Sequence, residues 1–152
     1  MTTRMTYRTT VTRQFVAQHY LTVPDPGPEG DLHSHVFSVE AAFGGPSLDD
    51  HDYLVDIDEV RAALDDAEAR YRDATLNDLP EFEGYNPSVE RFARVLHDRL
   101  APAAADGPAE TLRVTVWEDE AAAAGYEGPV GGADPGADGD PPARRGDGDG
   151  DG

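Results

Sequence analysis

What most limits the folding of this chain is an alternation that runs from His33 to Phe43. His33, His35, Phe37, Val39 and Ala41 fall on one side; Ser34, Ser38 and Glu40 fall on the other. Successive side chains on a strand point to opposite faces, so this spacing predicts a strand with one buried face, ended by Gly44-Gly45-Pro46. Such a strand needs neighbours in a sheet and a cover for its apolar side. Residues 6–20, rich in β-branched and aromatic side chains, read as a second strand. Leu112 to Glu118 alternates again, with Leu112, Val114 and Val116 opposite Arg113, Thr115 and Trp117, and a short last strand is expected near Tyr126. Two amphipathic helices supply the cover. Asp56 stands as N-cap of the first, over 57–71, with Ile57, Val60, Leu64, Ala67 and Tyr71 at helical spacing. The second begins near Asn86-Pro87-Ser88 and carries Val89, Phe92, Ala93, Leu96 and Leu100. Val23 to Gly30 reads as loop, and Ala101 to Glu110 as a small-residue linker. The order strand, strand, helix, helix, strand argues for an α+β fold with helices on one face of an antiparallel sheet.

The chain has 152 residues, which predicts one domain over 1–128. Residues 129–152 are Gly, Asp, Pro and Ala-rich and are expected to be a disordered acidic tail. Its aspartates lack the spacing and closing Glu of a calcium-binding loop. The net charge is −19 and every basic residue is arginine. A chain this acidic has no basic footprint for nucleic acid. It also lacks any apolar run of membrane-spanning length and any signal-peptide pattern, so a cytoplasmic protein without a membrane partner is expected. The lysine-free acidic surface suits a high-salt, halophilic cytoplasm, where charge repulsion is screened. With no cysteine, disulfides, thiolate ligands and thiol nucleophiles are excluded.

His19, His33 and His35 are the candidate metal ligands. His33 and His35 are two apart, so both point to one face of their strand, and His19 ends the alternating Phe15-Val16-Ala17-Gln18-His19. Three imidazoles can hold Zn2+ and leave a fourth position open, the ligand count of a catalytic zinc site. Taken alone, a His-x-His pair is more often an exposed strand pair. Of the other histidines, His97 is expected to face solvent on the second helix. His51 lies in the acidic loop Asp49-Asp50-His51-Asp52.

Five segments in order then resemble the 6-pyruvoyltetrahydropterin synthase / 6-carboxytetrahydropterin synthase family. They are Phe15-x-Ala17-x-His19; Leu32-His33-Ser34-His35, with serine for the family's glycine; Tyr53-Leu54-Val55-Asp56-Ile57; Leu76-Asn77-Asp78 followed by Asn86-Pro87-Ser88-x-Glu90; and Val114-x-Val116-x-Glu118 with Tyr126 beyond it. The resemblance implies the tunnelling fold (T-fold). In it two helices pack on a four-stranded antiparallel sheet, three subunits close a barrel, and trimers stack into hexamers with active sites at subunit interfaces. It implies that His19, His33 and His35 bind zinc, and that Glu118 anchors a pterin substrate through paired hydrogen bonds to ring N–H groups.

Two family positions differ. The catalytic cysteine expected four residues before the first histidine of the His-x-His pair is Glu29 here, and the family's Asp-His pair falls on Arg72 and Asp73. One reading makes Glu29 the base, with Asp73 assisting, in a zinc-dependent lyase. That enzyme acts on the side chain of 7,8-dihydroneopterin or its triphosphate and forms 6-hydroxymethyldihydropterin, a folate-type precursor. A second is a 6-carboxytetrahydropterin synthase of deazaguanine (queuosine or archaeosine) synthesis with an altered base. A third is a zinc- or pterin-binding protein without catalysis.

Overall fold

The computed structural model describes residues 6–131. Its order is β1 (Tyr7–His19), β2 (His33–Gly45), α1 (Ile57–Tyr71), α2 (Val89–Leu100), β3 (Thr111–Trp117) and β4 (Ala123–Pro129). The four strands form one antiparallel sheet in the order β1-β2-β3-β4. The two helices lie on one face, α1 over β1 and α2 over β3 and β4. This is the α+β architecture expected from the alternations.

The long β1–β2 hairpin runs in register from Tyr7 opposite Gly45 to His19 opposite His33. Its inner face buries Phe15, Ala17, Phe37, Val39, Ala41 and Phe43. From β3 the same face receives Leu112, Val114 and Val116. The helices close the core with Val60, Leu64, Ala67 and Tyr71 from α1 and Phe92, Ala93, Leu96 and Leu100 from α2. Phe92 sits at the centre, meeting Phe15, Phe37, Tyr71 and Phe82 with ring centroids 5.2 to 6.2 Å apart. Aromatic rings favour these edge-on contacts over a flat sandwich.

Both helix starts form as expected. Asp56 accepts from the Asp58 and Glu59 N–H groups, and the Ser88 hydroxyl accepts from Arg91 N–H. Ile57, assigned to the apolar stripe of α1, is exposed at the first turn instead. That position stands outside the reach of the sheet, where the helix begins. The linker after α2 holds a 3-10 turn, Ala101–Ala104, and Gly27–Gly30 forms another at the end of the first loop. Pro129 belongs to β4, and Val130 beyond it is buried with its N–H on the Glu110 carbonyl. The rest of the expected tail, 132–152, lies outside the described residues. Among those described, no helix is long and apolar enough to cross a membrane.

Candidate metal centre and substrate site

The three candidate histidines meet at one end of the core, where the inner face of the sheet runs past the helices. β1–β2 register sets His19 directly opposite His33, and strand periodicity puts His35 on the same face. The ring centroids stand 4.6 Å (His19–His33), 4.9 Å (His33–His35) and 5.4 Å (His19–His35) apart. One ring nitrogen from each lies within 4.8 Å of those of the other two. Phe37, next along the inner face of β2, forms an apolar floor 5.5 Å from His35 and 5.8 Å from His19.

Ring orientation is set by the backbone. His19 Nδ1 lies 2.8 Å from the Pro87 carbonyl and His33 Nδ1 lies 2.8 Å from the Asp31 carbonyl. A carbonyl only accepts, so both Nδ1 atoms carry the proton and donate. That tautomer leaves the Nε2 lone pairs free to ligate, the outer-shell arrangement usual for metal-bound histidine. The Nε2 atoms of all three rings are shielded from solvent and have no hydrogen-bond partner. Unpartnered buried nitrogens cost stability unless something fills them, and three converging on one point fit a borderline metal ion with nitrogen ligands. Burial pushes the His19 imidazole below its ordinary pKa, against the Pro87 carbonyl and helped by the other two rings. The neutral ring that results is the ligating form.

Glu118 follows from the alternation of β3. Leu112, Val114 and Val116 point into the core, and the next side chain on that face is Glu118, just past the strand end. Its Oε1 stands 3.5 Å from His35 Nε2. The backbone there is held by a tight turn, with Glu118 N–H on the Ala122 carbonyl and the Asp119 carboxylate accepting from Ala121 and Ala122 N–H. Glu29 sits exposed in the 3-10 turn of the β1–β2 connection, whose Glu29 carbonyl accepts from Leu21 N–H at 2.8 Å. Its charge reaches His19 and opposes the fall in that ring's pKa. Asp73 follows α1 in a left-handed conformation (φ 61°), with its N–H on the Val16 carbonyl. This ties it to the edge of β1 upstream of His19, not to the rings themselves. Arg72 pairs with Glu68, not with Asp73.

Two asparagines inside the recognised motifs carry positioning work that the sequence did not reveal. Asn77 accepts from Tyr20 N–H and donates to the Tyr20 carbonyl, and Asn86 accepts from Thr22 N–H. Together they pin Tyr20 and Thr22, on either side of Leu21, just after His19. A side-chain amide offers both a donor and an acceptor, so one asparagine can satisfy both backbone groups of one residue. Only the retained Leu-Asn and Asn-Pro pairs hinted at this. His97, expected in solvent, is buried under β4 with its ring edge-on to Tyr126. His51 stays in its exposed acidic loop, its N–H on Asp49.

The sequence matches the family model for 6-pyruvoyl tetrahydropterin synthase over residues 8–129. Among solved structures, 6-pyruvoyl tetrahydropterin synthase of Caenorhabditis elegans superposes with a TM-score of 0.70 at 15% identity, over 84% of this chain and 99% of that one. A Plasmodium vivax 6-pyruvoyltetrahydropterin synthase, a catalytic-residue mutant in which a glutamate is replaced by alanine, gives 0.67 at 12% identity over 82% and 99%. An uncharacterized protein of Wolinella succinogenes gives 0.56 at 14% identity over 80% and 98%.

Proposed function

The chain belongs to the 6-pyruvoyl tetrahydropterin synthase family, and from that premise we propose that it is a zinc-dependent lyase of dihydroneopterin-type side chains with Glu29 as base. The observation that carries this reading is the set of three buried, unpartnered Nε2 atoms of His19, His33 and His35 beside Glu118. The chemistry a bound zinc supplies is Lewis-acid polarisation of a side-chain oxygen of the substrate.

The protein's own residues do the rest. Glu118, fixed by the β3–β4 turn, presents two carboxylate oxygens that match the adjacent N–H and amino groups of a 2-aminopyrimidinone ring. It holds the bicycle so that the side chain at ring position 6 extends toward the histidines. Glu29 takes the proton from the second side-chain hydroxyl. The carbon–carbon bond between the first and second side-chain carbons then breaks, its electron pair passing into the dihydropterin ring. Protonation of the ring system leaves 6-hydroxymethyldihydropterin, and the departing two-carbon piece leaves as an aldehyde. A carboxylate is competent here because the proton comes from oxygen, not carbon. The Plasmodium vivax relative, in which a glutamate counts as a catalytic residue, is in keeping with that assignment. Asp73 assists through the segment it ties to β1, as a positioning residue.

The test is incubation of the zinc-loaded protein with 7,8-dihydroneopterin and with its triphosphate, products identified by mass. The expected product is 6-hydroxymethyldihydropterin. Glu29→Gln is expected to lower kcat by about 10²–10⁴ with zinc content unchanged, whereas His33→Ala loses the zinc. Full activity in Glu29→Gln removes the base assignment, a 6-carboxytetrahydropterin product moves the protein to the deazaguanine branch, and tight pterin binding without turnover marks a binding protein.

A further inference from the structure

We propose that the acidic C-terminal segment, residues 132–152, docks along the arginine-bearing outer face of α2 in its own chain. Positions 91, 94, 95, 98 and 99 share that face at helical spacing, opposite the buried Phe92, Leu96 and Leu100. Arg91, Arg94 and Arg99 line one surface depression there with Glu81 and Asp98, and Arg70 joins them through its two bonds to Glu81. Glu90 lines the depression next to it. Four guanidiniums thus face three carboxylates, a local excess of positive charge on a chain whose net charge is −19. These arginines differ in how far they are engaged. Arg70 is fully taken up by Glu81. Arg91 lies over the Tyr85 ring with its guanidinium carbon 3.9 Å from the centroid, and it pairs with no carboxylate among the described residues. Arg94 stands 3.4 Å from Asp98 and lies over the Tyr126 ring at 4.6 Å. Arg99 donates to the Tyr71 oxygen and is 37% exposed. A guanidinium held over a ring face still offers its N–H donors to a carboxylate.

Residues 132–152 carry the complementary charge. They hold Asp134, Asp138, Asp140, Asp147, Asp149 and Asp151 against Arg144 and Arg145, with no apolar side chain larger than proline. Where the segment leaves the fold points it to α2. Val130 N–H bonds to the Glu110 carbonyl, and a Cβ on Gly131 would stand 3.1 Å from Ala105 Cα. Ala105 follows the end of α2 directly after the turn Ala101–Ala104. The segment therefore departs at the C-terminal end of the helix that carries the arginines. From Arg99 back to Arg91 the helix rises about 12 Å, and ten extended residues cover up to about 33 Å. Asp134, Asp138 and Asp140 can reach the whole stripe. Exposed ion pairs contribute at most about 1 kcal/mol each, so a free acidic peptide binds such a face weakly. A tether raises the effective concentration to about the millimolar range. A second copy also offers carboxylates, but it has no tether and brings its full charge of −19 against this chain's own. Docking through exposed charges weakens with salt, as the Debye length falls from about 10 Å at 0.1 M to about 3 Å at 1 M.

The chain has no cysteine, so Ala137→Cys gives the full-length protein a single thiol. That thiol is coupled to a benzophenone maleimide, the protein is irradiated, and the linked peptides are identified by mass. At about 0.05 M KCl the links are expected to concentrate on residues 85–99, and to fall at least about fivefold at about 1 M. Replacing all six aspartates of 132–152 by asparagine is expected to cause a fall of the same size at low salt, as is the double variant Arg91→Gln, Arg94→Gln. In protein assembled from equal parts of unlabelled and nitrogen-15-labelled chains, each linked pair is expected to carry one isotope throughout. Links spread over the surface without preference for α2 overturn the inference, as do links to α2 that neither salt nor the asparagine variant reduces. Linked pairs of mixed isotope overturn it too, by giving the face to a second copy. The asparagine variant alters no described residue, so it decides if the arginine variant does not fold. None of these readouts involves zinc or a pterin, so the docking is tested separately from the proposed activity.

Discussion

At the scale of single residues, two histidines show how differently the same side chain can be buried. His19 has one nitrogen satisfied by the Pro87 carbonyl and the other aimed at two more imidazoles. His97 has no close hydrogen bond at either ring nitrogen, its Nδ1 standing 3.5 Å from the Asp98 carboxylate. Its Nε2 stands 3.2 Å from where a Cβ on Gly128 would be, so a side chain at that position of β4 would crowd the ring. His97 therefore contributes packing against Tyr126 at the cost of unmet polar groups. Replacement by leucine, which keeps volume and removes both nitrogens, is expected to leave stability unchanged or raise it by about 1 kcal/mol. Urea denaturation of His97→Leu checks this; a loss of more than about 2 kcal/mol contradicts it. The burial of His97 was not legible in the chain. The residue follows Leu96, and whether the next position is wet depends on a partner strand made of Ala, Gly and Tyr that carries little pattern of its own. The metal triad was legible because a period of two on one strand and a histidine ending another require only that the strands be neighbours.

At the scale of elements, the segment between the helices is locked by one carboxylate. Glu81 receives two bonds of 2.6 Å from Arg70 and one of 2.6 Å from the Tyr71 hydroxyl, and Arg99 closes the group by donating to the Tyr71 oxygen at 3.2 Å. The Arg70 fork pulls the Glu81 carboxyl down to about 2, and burial, with the bond to Glu81, pushes the Tyr71 phenol up to about 12. Because the folded value of Glu81 lies below its unfolded value of 4.5, its stabilisation is complete above that value. It is lost as pH falls from there through about 2. The shift is worth at most about 3 kcal/mol. Unfolding free energies of the unaltered protein and Glu81→Gln are expected to differ at pH 7 and to draw together as pH falls from 4.5 through about 2; a difference that does not shrink over that range contradicts the assignment. The same network braces the turn that carries Asn77, and through it the backbone after His19. Helix starts at Asp56 and Ser88 could be read from capping chemistry. The bracing could not, because Glu81 in sequence is one acidic residue among many, and only the fold brings Arg70, Tyr71 and Arg99 to it.

At the scale of the whole molecule, charge and sheet edges act together. The outer edge of β4 has no partner strand among the described residues, and that of β1 is met only near Gln18 by Thr75. Open edges of this length favour pairing with another chain, and closure of a barrel between copies is the expected resolution. Every copy, however, carries −19, so bringing three together sets like charges against one another. Edge pairing is short-ranged and indifferent to salt, whereas the repulsion extends over the Debye length, about 10 Å at 0.1 M and about 3 Å at 1 M. Added KCl is therefore expected to weaken only the opposing term. The mass by light scattering should move toward a multiple of three chains, and the thermal midpoint should rise by several degrees between 0.1 and 1 M. Exposed ion pairs such as Arg113 with Glu127 are open to this screening, whereas the part-buried ones, Arg13 with Glu68 and Arg70 with Glu81, are screened much less. Screening of the exposed pairs subtracts little, since each contributes at most about 1 kcal/mol. A midpoint that falls with KCl would mean that attractive pairs outweigh the net repulsion, and the acidic surface would then need a different explanation from tolerance of salt.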